Sequence, residues 1–299
     1  VNLDDSLQRY SAAALKTSAE VIRIYSTSFG MAARILDRTT RGHIEAVYAL
    51  VRIADEIVDG AAAGAGLSAS EVAALLDDLE RDTETALRTG YSTNLVVHAF
   101  AVTARSTGIG TELTRPFFAS MRADLTRNEH TQESFDLYVY GSAEVVGLMC
   151  LRAFLVKRPV GREGEAVLID GARHLGAAFQ KINFLRDLAE DFSTLGRSYF
   201  PGISPTSFSE ADKLRLLDEI DEDLRISAAA LPGLPPTARR AVSLAQALFA
   251  ELALRLRRTP AEELLRARIR VPNPVKIRIM AKAFTGRAVP GLVAQERTA

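Results

Sequence analysis

Tryptophan is absent from this chain, and its 299 residues include one cysteine. A lone Cys150 excludes an internal disulfide and suits a reducing compartment. Its apolar setting at 145–151 reads as that of a buried structural thiol, not a nucleophile. Neither sign of charge is in excess, since 37 Lys and Arg face 37 Asp and Glu, so no global field draws nucleic acid. The histidines His43, His98, His130 and His174 are scattered, which argues against a zinc site and makes each a surface or capping residue. Long apolar runs are also missing. The longest are interrupted by Arg52, or by Glu144 and Arg152, and fall short of a membrane span. The start, Val1-Asn2-Leu3-Asp4-Asp5, lacks the basic-then-apolar layout of a signal peptide, and the tail at 295–299 is polar. A soluble, cytoplasmic protein is expected.

Aromatic residues are few, at 7%, while Ala, Leu, Arg and Glu are abundant, a balance that favours helix over sheet. Helical periodicity predicts a short helix at 32–36 and longer ones over 41–59, 71–88, 95–106, 112–126, 133–156, 162–191, 210–230, 236–257 and 274–284. An Ala/Gly/Ser stretch at 61–70 and a Gly- and Pro-containing one at 194–208 read as mobile loops following two of these helices. No repeat or linker divides the chain, so one all-α domain over 1–299 is expected.

Two acidic clusters stand out. Asp55-Glu56-Ile57-Val58-Asp59 ends the helix over 41–59, and Asp187-Leu188-Ala189-Glu190-Asp191 ends the one over 162–191. Spacing alone carries little weight, because Asp78 and Asp82 are also four apart. Those two lie among Glu80, Arg81, Glu84 and Arg88 on the solvated face of a surface helix. Asp55 and Asp59 instead sit among Val47, Leu50, Val51, Ile53, Ile57 and Val58. There Tyr48, Arg52, Asp55 and Asp59 form one polar stripe at helical steps.

Gln180, Asn183, Asp187 and Asp191 repeat the pattern, flanked by Arg186 and Glu190. Buried carboxylates need compensating charge. Asp and Asn oxygens at these steps suit Mg²⁺, and hence a diphosphate. An internal Arg–Asp pair joining two helices would explain the first stripe equally well. Arg266, Arg268, Arg270, Lys276, Arg278 and Lys282 form a basic region that would neutralise a diphosphate, contact an anionic membrane surface, or serve as a solvated face.

The chain resembles the phytoene and squalene synthase family, the head-to-head trans-isoprenyl diphosphate synthases. The resemblance runs through Tyr25-Ser26-Thr27-Ser28-Phe29, Tyr48-Ala49-Leu50-Val51-Arg52, and the block Tyr138 to Gly147. It continues through Leu175 to Asp191, Gly196-Arg197-Ser198-Tyr199-Phe200-Pro201, and Arg268 to Lys276. It implies an isoprenoid synthase fold around a central apolar cavity. It also implies Mg²⁺, with Mn²⁺ as a substitute, held by Asp55, Asp59, Asn183, Asp187 and Asp191. Diphosphate contacts would come from Ser26, Ser28, Tyr48, Arg52, Gln180, Asn183, Arg186 and Arg268. Tyr138 matches a tyrosine given a proton-transfer or cation-steering role, though its phenol would equally suit a structural hydrogen bond.

Three positions depart from the family pattern. Glu56 stands where many relatives have Asp, Glu144 adds a charge near the cavity, and Phe249 occupies a position often held by Tyr. The wording of the motifs is most like bacterial phytoene synthases, which implies condensation of two geranylgeranyl diphosphates without NADPH. No dinucleotide fingerprint is present, since Gly108-Ile109-Gly110 lacks its context. The rival is a squalene, dehydrosqualene or hydroxysqualene synthase using farnesyl diphosphate. A catalytically dead assembly factor would show eroded ligands, whereas all four motif aspartates are present. A lipid substrate also makes peripheral membrane contact an expectation, through the basic region or the apolar loop around Phe200.

Overall fold

A computed structural model describes residues 3–158, 160–192, 196–204 and 206–284. Among these the chain is helical, and the one strand-like contact is an isolated parallel bridge between Glu129 and Ser198. Helix α1 (Leu3–Tyr25) leads into the short α2 (Thr27–Ala33) and then α3 (Arg38–Asp59), which bears the first acidic stripe. The turn α4 (Ala61–Gly64) precedes α5 (Ala69–Thr89), α6 (Leu95–Thr107) and α7 (Thr111–Thr126). A continuous rod follows: α8 (Gln132–Val139), a π-helical turn at Tyr140–Glu144, and α9 (Val145–Leu155). The second stripe lies on α10 (Arg162–Glu190), before α11 (Glu210–Ala230), α12 (Pro236–Arg258), α13 (Ala261–Leu264) and α14 (Asn273–Phe284).

Local signals account for several boundaries. The Asp37 side chain accepts from the backbone N–H groups of Thr39 and Thr40 at 3.2 and 3.3 Å and so starts α3. Ser68 and Glu71 form a capping box on α5, so part of the loop predicted at 61–70 is a helical turn and a cap. Of the helix predicted at 32–36 only 32–33 are helical; α2 lies earlier, capped by Ser26 Oγ, which accepts from the Phe29 N–H at 3.1 Å, and 34–36 form a turn. Helix α1 was not foreseen. Its fully buried positions are Ala14 and Ser18, and Ala14 meets Ala46 of α3 and Ala99 of α6. Its buried positions Ala14, Ser18 and Ile22 follow helical spacing but include only one large apolar side chain.

The helix predicted over 133–156 exists, with the π turn inside it. Gly141 permits that turn to lie on α7, because a Cβ there would overlap the Pro116 carbonyl oxygen. The whole run, Gln132–Leu155, spans 24 residues and holds an 18-residue window of mean hydropathy 1.3, long and apolar enough to cross a membrane by length and composition. This corrects the expectation that charges keep every run too short. Within the fold one face of the run is interior, with Tyr138, Val139, Val145, Met149 and Leu151 buried. Two apolar clusters dominate the core. One gathers Ile182, Leu185, Leu217 and Ile220 from α10 and α11, and the other gathers Leu50, Leu76, Phe100 and Phe117 from α3, α5, α6 and α7.

Candidate active site

A cavity of about 1070 Å³ is lined from both clusters. Ile44 and Asp59 of α3 both line it, so it follows that helix for about 22 Å of helical rise. Its polarity is segregated. Ile44 on α3 and Leu168, Ala172 and Leu175 on α10 give an apolar end, while the last turns of the same two helices give an acidic one. Both stripes therefore sit at helix C-termini, where the backbone dipole adds negative potential and favours cations. Every residue that the resemblance assigns to metal, diphosphate or proton transfer lines this one cavity: Ser26, Ser28, Tyr48, Arg52, Asp55, Asp59, Tyr138, Gln180, Asn183, Arg186, Asp187, Asp191 and Arg268.

Arginines hold the carboxylates. Arg52 donates to Asp55 at 2.9 Å and also to Glu56. Arg186 Nε donates to Asp187 at 2.8 Å, and Arg268 Nε pairs with the same carboxylate at 2.9 Å. The compensation is incomplete. Burial, and then the charge of Asp59, push Asp55 up to about 7. Asp191 is likewise raised to about 7, first by burial, then by Asp187, then by Asp59 on the other stripe. Lys276 donates to Thr27 Oγ1 at 3.0 Å, and its pKa is lowered by burial and by the nearby Arg186 and Arg270. One side of the mouth thus crowds negative charge and the other crowds positive charge.

Among the described residues, no three Asp, Glu, His or Cys side chains have converged on a common point. The donor set nevertheless fits a hard divalent cation. Asn183 Oδ1 is buried and has no hydrogen-bond partner, on the same stripe as Asp187 and Asp191. An orphaned carbonyl oxygen beside under-compensated carboxylates is the oxygen-only chemistry that Mg²⁺ accepts.

Three functional-looking residues escaped the sequence reading. Arg197 donates to Asp59 at 2.6 Å and to the Tyr199 hydroxyl at 3.1 Å. Tyr138 and Tyr199 both donate to Asp124, at 2.8 and 3.1 Å. Burial raises the Tyr138 ionisation well above that of an ordinary phenol, with Asp124 adding to it. Asp124 continues the buried stripe Leu113, Phe117, Met121 of α7. A carboxylate at the next step of an apolar stripe was the available signal.

Other expectations need correction. His98 is fully buried, edge-on to Tyr10 and Tyr91 with Nε2 at 2.9 Å from Ser11 Oγ, so it is a satisfied core residue. His130 is also buried, with its ring 5.2 Å from that of Tyr138. Glu144 does not line the cavity but pairs with Arg173 at 2.6 Å. Phe200, expected on an exposed apolar loop, is itself buried against Phe135 and Phe184. Cys150 fits its expectation as an inert thiol: it lines the cavity, and burial pushes it up to about 12. Phe249 stacks on Phe179 at 3.9 Å and touches Phe29, making an apolar aromatic wall where a hydroxyl was in question. The polar tail at 295–299 lies outside the described residues.

A family model described as squalene/phytoene synthase matches residues 22–274. The chain is 28% identical over 280 residues to a 15-cis-phytoene synthase of a Paracoccus species, covering 88% of each chain. It is 31% identical over 226 residues to phytoene synthase 3, chloroplastic, of Zea mays, covering 73% of this chain and 50% of that one. A solved structure described as a dehydrosqualene synthase in complex with ligand superposes with a TM-score of 0.78 at 23% identity, over 93% of this chain and 98% of that one. Squalene synthase HpnC from Alicyclobacillus acidocaldarius gives 0.70 at 19% identity, over 83% and 94%.

Proposed function

This chain belongs to the squalene/phytoene synthase family and has its all-α isoprenoid synthase fold, and from that premise we propose that it is a Mg²⁺-dependent phytoene synthase. It would condense two geranylgeranyl diphosphates head to head, through a cyclopropylcarbinyl diphosphate, to phytoene and diphosphate. The observation that carries this reading is one long cavity, apolar at one end and doubly charged at the other. Its volume lies at the top of the range for small-molecule pockets, as suits two long chains.

Arg52, Arg186, Arg268 and Lys276 line the cavity, where they would grip diphosphate at its mouth. Asp55 and Asp59 with Asn183, Asp187 and Asp191 would hold Mg²⁺, which supplies charge neutralisation for the departing diphosphate. The apolar walls, including Phe29, Phe179 and Phe249, keep water from the allylic cation once diphosphate has left. Attack by the second substrate's double bond and loss of a proton give the three-membered ring, with Tyr138 at hand for that proton. A final proton loss ends the sequence, so no NADPH is required. Helix α14 carries exposed Ile277 beside Arg278, the face we assign to peripheral approach to a membrane holding the substrates.

Purified protein with Mg²⁺ is to be incubated separately with farnesyl and geranylgeranyl diphosphate, and the hydrocarbon identified by mass. A forty-carbon triene-centred product from the longer substrate is expected. Thirty-carbon product alone would overturn the phytoene assignment in favour of the squalene-type branch.

A further inference from the structure

Asp124 on α7 is 7% exposed and does not line the cavity, whereas Tyr138 and Tyr199 do. Its carboxylate stands directly behind both phenols. Tyr138 Oη donates to Oδ2 at 2.8 Å and Tyr199 Oη to Oδ1 at 3.1 Å. Arg197 lies 3.9 Å from Oδ1 and bonds Asp59 of α3 at 2.6 Å. The remaining titratable neighbour is His130, whose ring lies 5.2 Å from that of Tyr138 and 5.9 Å from that of Tyr199. Ser120 of α7 fixes the same corner by donating to the Tyr138 carbonyl at 3.0 Å.

A phenol in this setting is a poor base, because burial and Asp124 keep Tyr138 from ionising. It can accept a proton only by giving up its own, and the hydrogen bond that it donates points at Asp124. We propose that Asp124 is the proton-holding partner of Tyr138, receiving through that phenol the proton released when the cyclopropane ring closes. This role rests on the prenyl synthase reading above.

In the step, a C–H bond beside the cationic carbon breaks and its electron pair closes the ring. The proton passes to a lone pair of Tyr138 Oη while the phenol's own hydrogen moves to Asp124 Oδ2. Cation and carboxylate are neutralised together, and Tyr138 ends as it began. Water entering after product release takes the proton back along the same path. Arg197 keeps the carboxylate ionised beforehand. Burial raises Asp124 to about 7, a value suited to taking and releasing a proton near neutrality. Asp124 acts only through Tyr138 and is a positioning residue that never meets the substrate.

The test is single-turnover analysis of the full chain with Mg²⁺ and the diphosphate that wild type turns over. Asp124→Asn retains the shape and an oxygen acceptor but cannot hold the proton. Hydrocarbon formation is expected to fall about 100-fold, with KM unchanged and diphosphate release retained, the cation being diverted to prenyl alcohols. A merely structural role would move release and hydrocarbon formation together. A variant within about threefold of wild type, with the same products, would overturn the relay.

Should Asp124→Asn not fold, wild type alone decides the matter. Relay hydrogens exchange with solvent, so hydrocarbon formation should slow in D₂O while diphosphate release does not, and equal rates in the two solvents refute the relay. Failure of wild type to make any hydrocarbon would instead overturn the prenyl synthase reading itself.

Discussion

Replacing Arg197 with Met tests the electrostatics behind Tyr138 without touching the cavity wall. The Arg197 side chain is 8% exposed and bridges two carboxylates of different character, the side chain of Asp59 being 40% exposed and that of Asp124 3%. Asp59 is wet enough to lose little when its partner goes. Asp124 is not, and stripping one partner from a buried pair costs about 3–5 kcal/mol. The two phenols that remain bonded to Asp124 place the expected loss near the bottom of that range, about 3 kcal/mol. At about 2–4 °C per kcal/mol for a chain of this size, the melting temperature should fall by about 6–12 °C.

The loss should also depend on pH. Asp124 has a folded-state pKa of about 7, above the ordinary value of about 3.9 expected in the unfolded chain. The native state therefore binds this proton more tightly, and the contribution of Asp124 to stability rises as pH falls from about 7 toward about 4. Arg197 holds the pKa down, so its removal raises it further, and a protonated Asp124 no longer needs the guanidinium. Melting followed by circular dichroism at about pH 8 and about pH 5.5 should show the larger deficit at the higher pH. The double variant with Asp124→Asn should recover most of it. A deficit equal at both pH values, or undiminished in the double variant, would refute the reasoning.

Three other perturbations probe the mouth and the packing that builds it. Asp187→Ala frees Arg186 and Arg268 together, and turnover should fall about 100-fold or more with an unchanged melting temperature. Chelation by EDTA should abolish wild-type turnover, and added Mg²⁺ should restore it; turnover surviving either treatment would remove the metal from the mechanism. Gly176→Ala places a Cβ 2.6 Å from the Ala143 carbonyl oxygen in the π turn, a backbone atom that cannot swing aside. Overpacking costs about 1–3 kcal/mol, more than the roughly 1 kcal/mol of helix propensity gained. The variant should therefore melt lower, and an unchanged melting temperature would mean that α10 and the π turn are not in tight contact.

The two acidic stripes were legible in the sequence because each is a polar line drawn on an apolar helix, and contrast of that kind survives without coordinates. Gln180, Asn183 and Asp187 could be placed on one face by counting, and they do share one cavity. Asp124, Arg197 and Tyr199 were not legible as a group. They come from positions 75 residues apart at the extremes of the Asp124–Tyr199 bond, and nothing local shows that a single carboxylate takes both phenols. The π turn was invisible for another reason. Composition reports that 133–156 is helical, but the widened turn follows from Gly141 meeting Pro116 on a different helix. His98 was misplaced because its surroundings include Tyr10 and Ser11 of α1, nearly ninety residues away in the chain.

The arginines of the mouth have a consequence for affinity. Arg52, Arg186 and Arg268 are each engaged with a carboxylate of this same chain. A diphosphate arriving there is not filling an idle socket but competing for hands already held. Its grip is the difference between two sets of partners, so a tighter internal handshake means a looser hold on substrate. The resting molecule is thereby spared a cluster of naked like charges between turnovers. Its aspartates act as understudies for the anion that is yet to come.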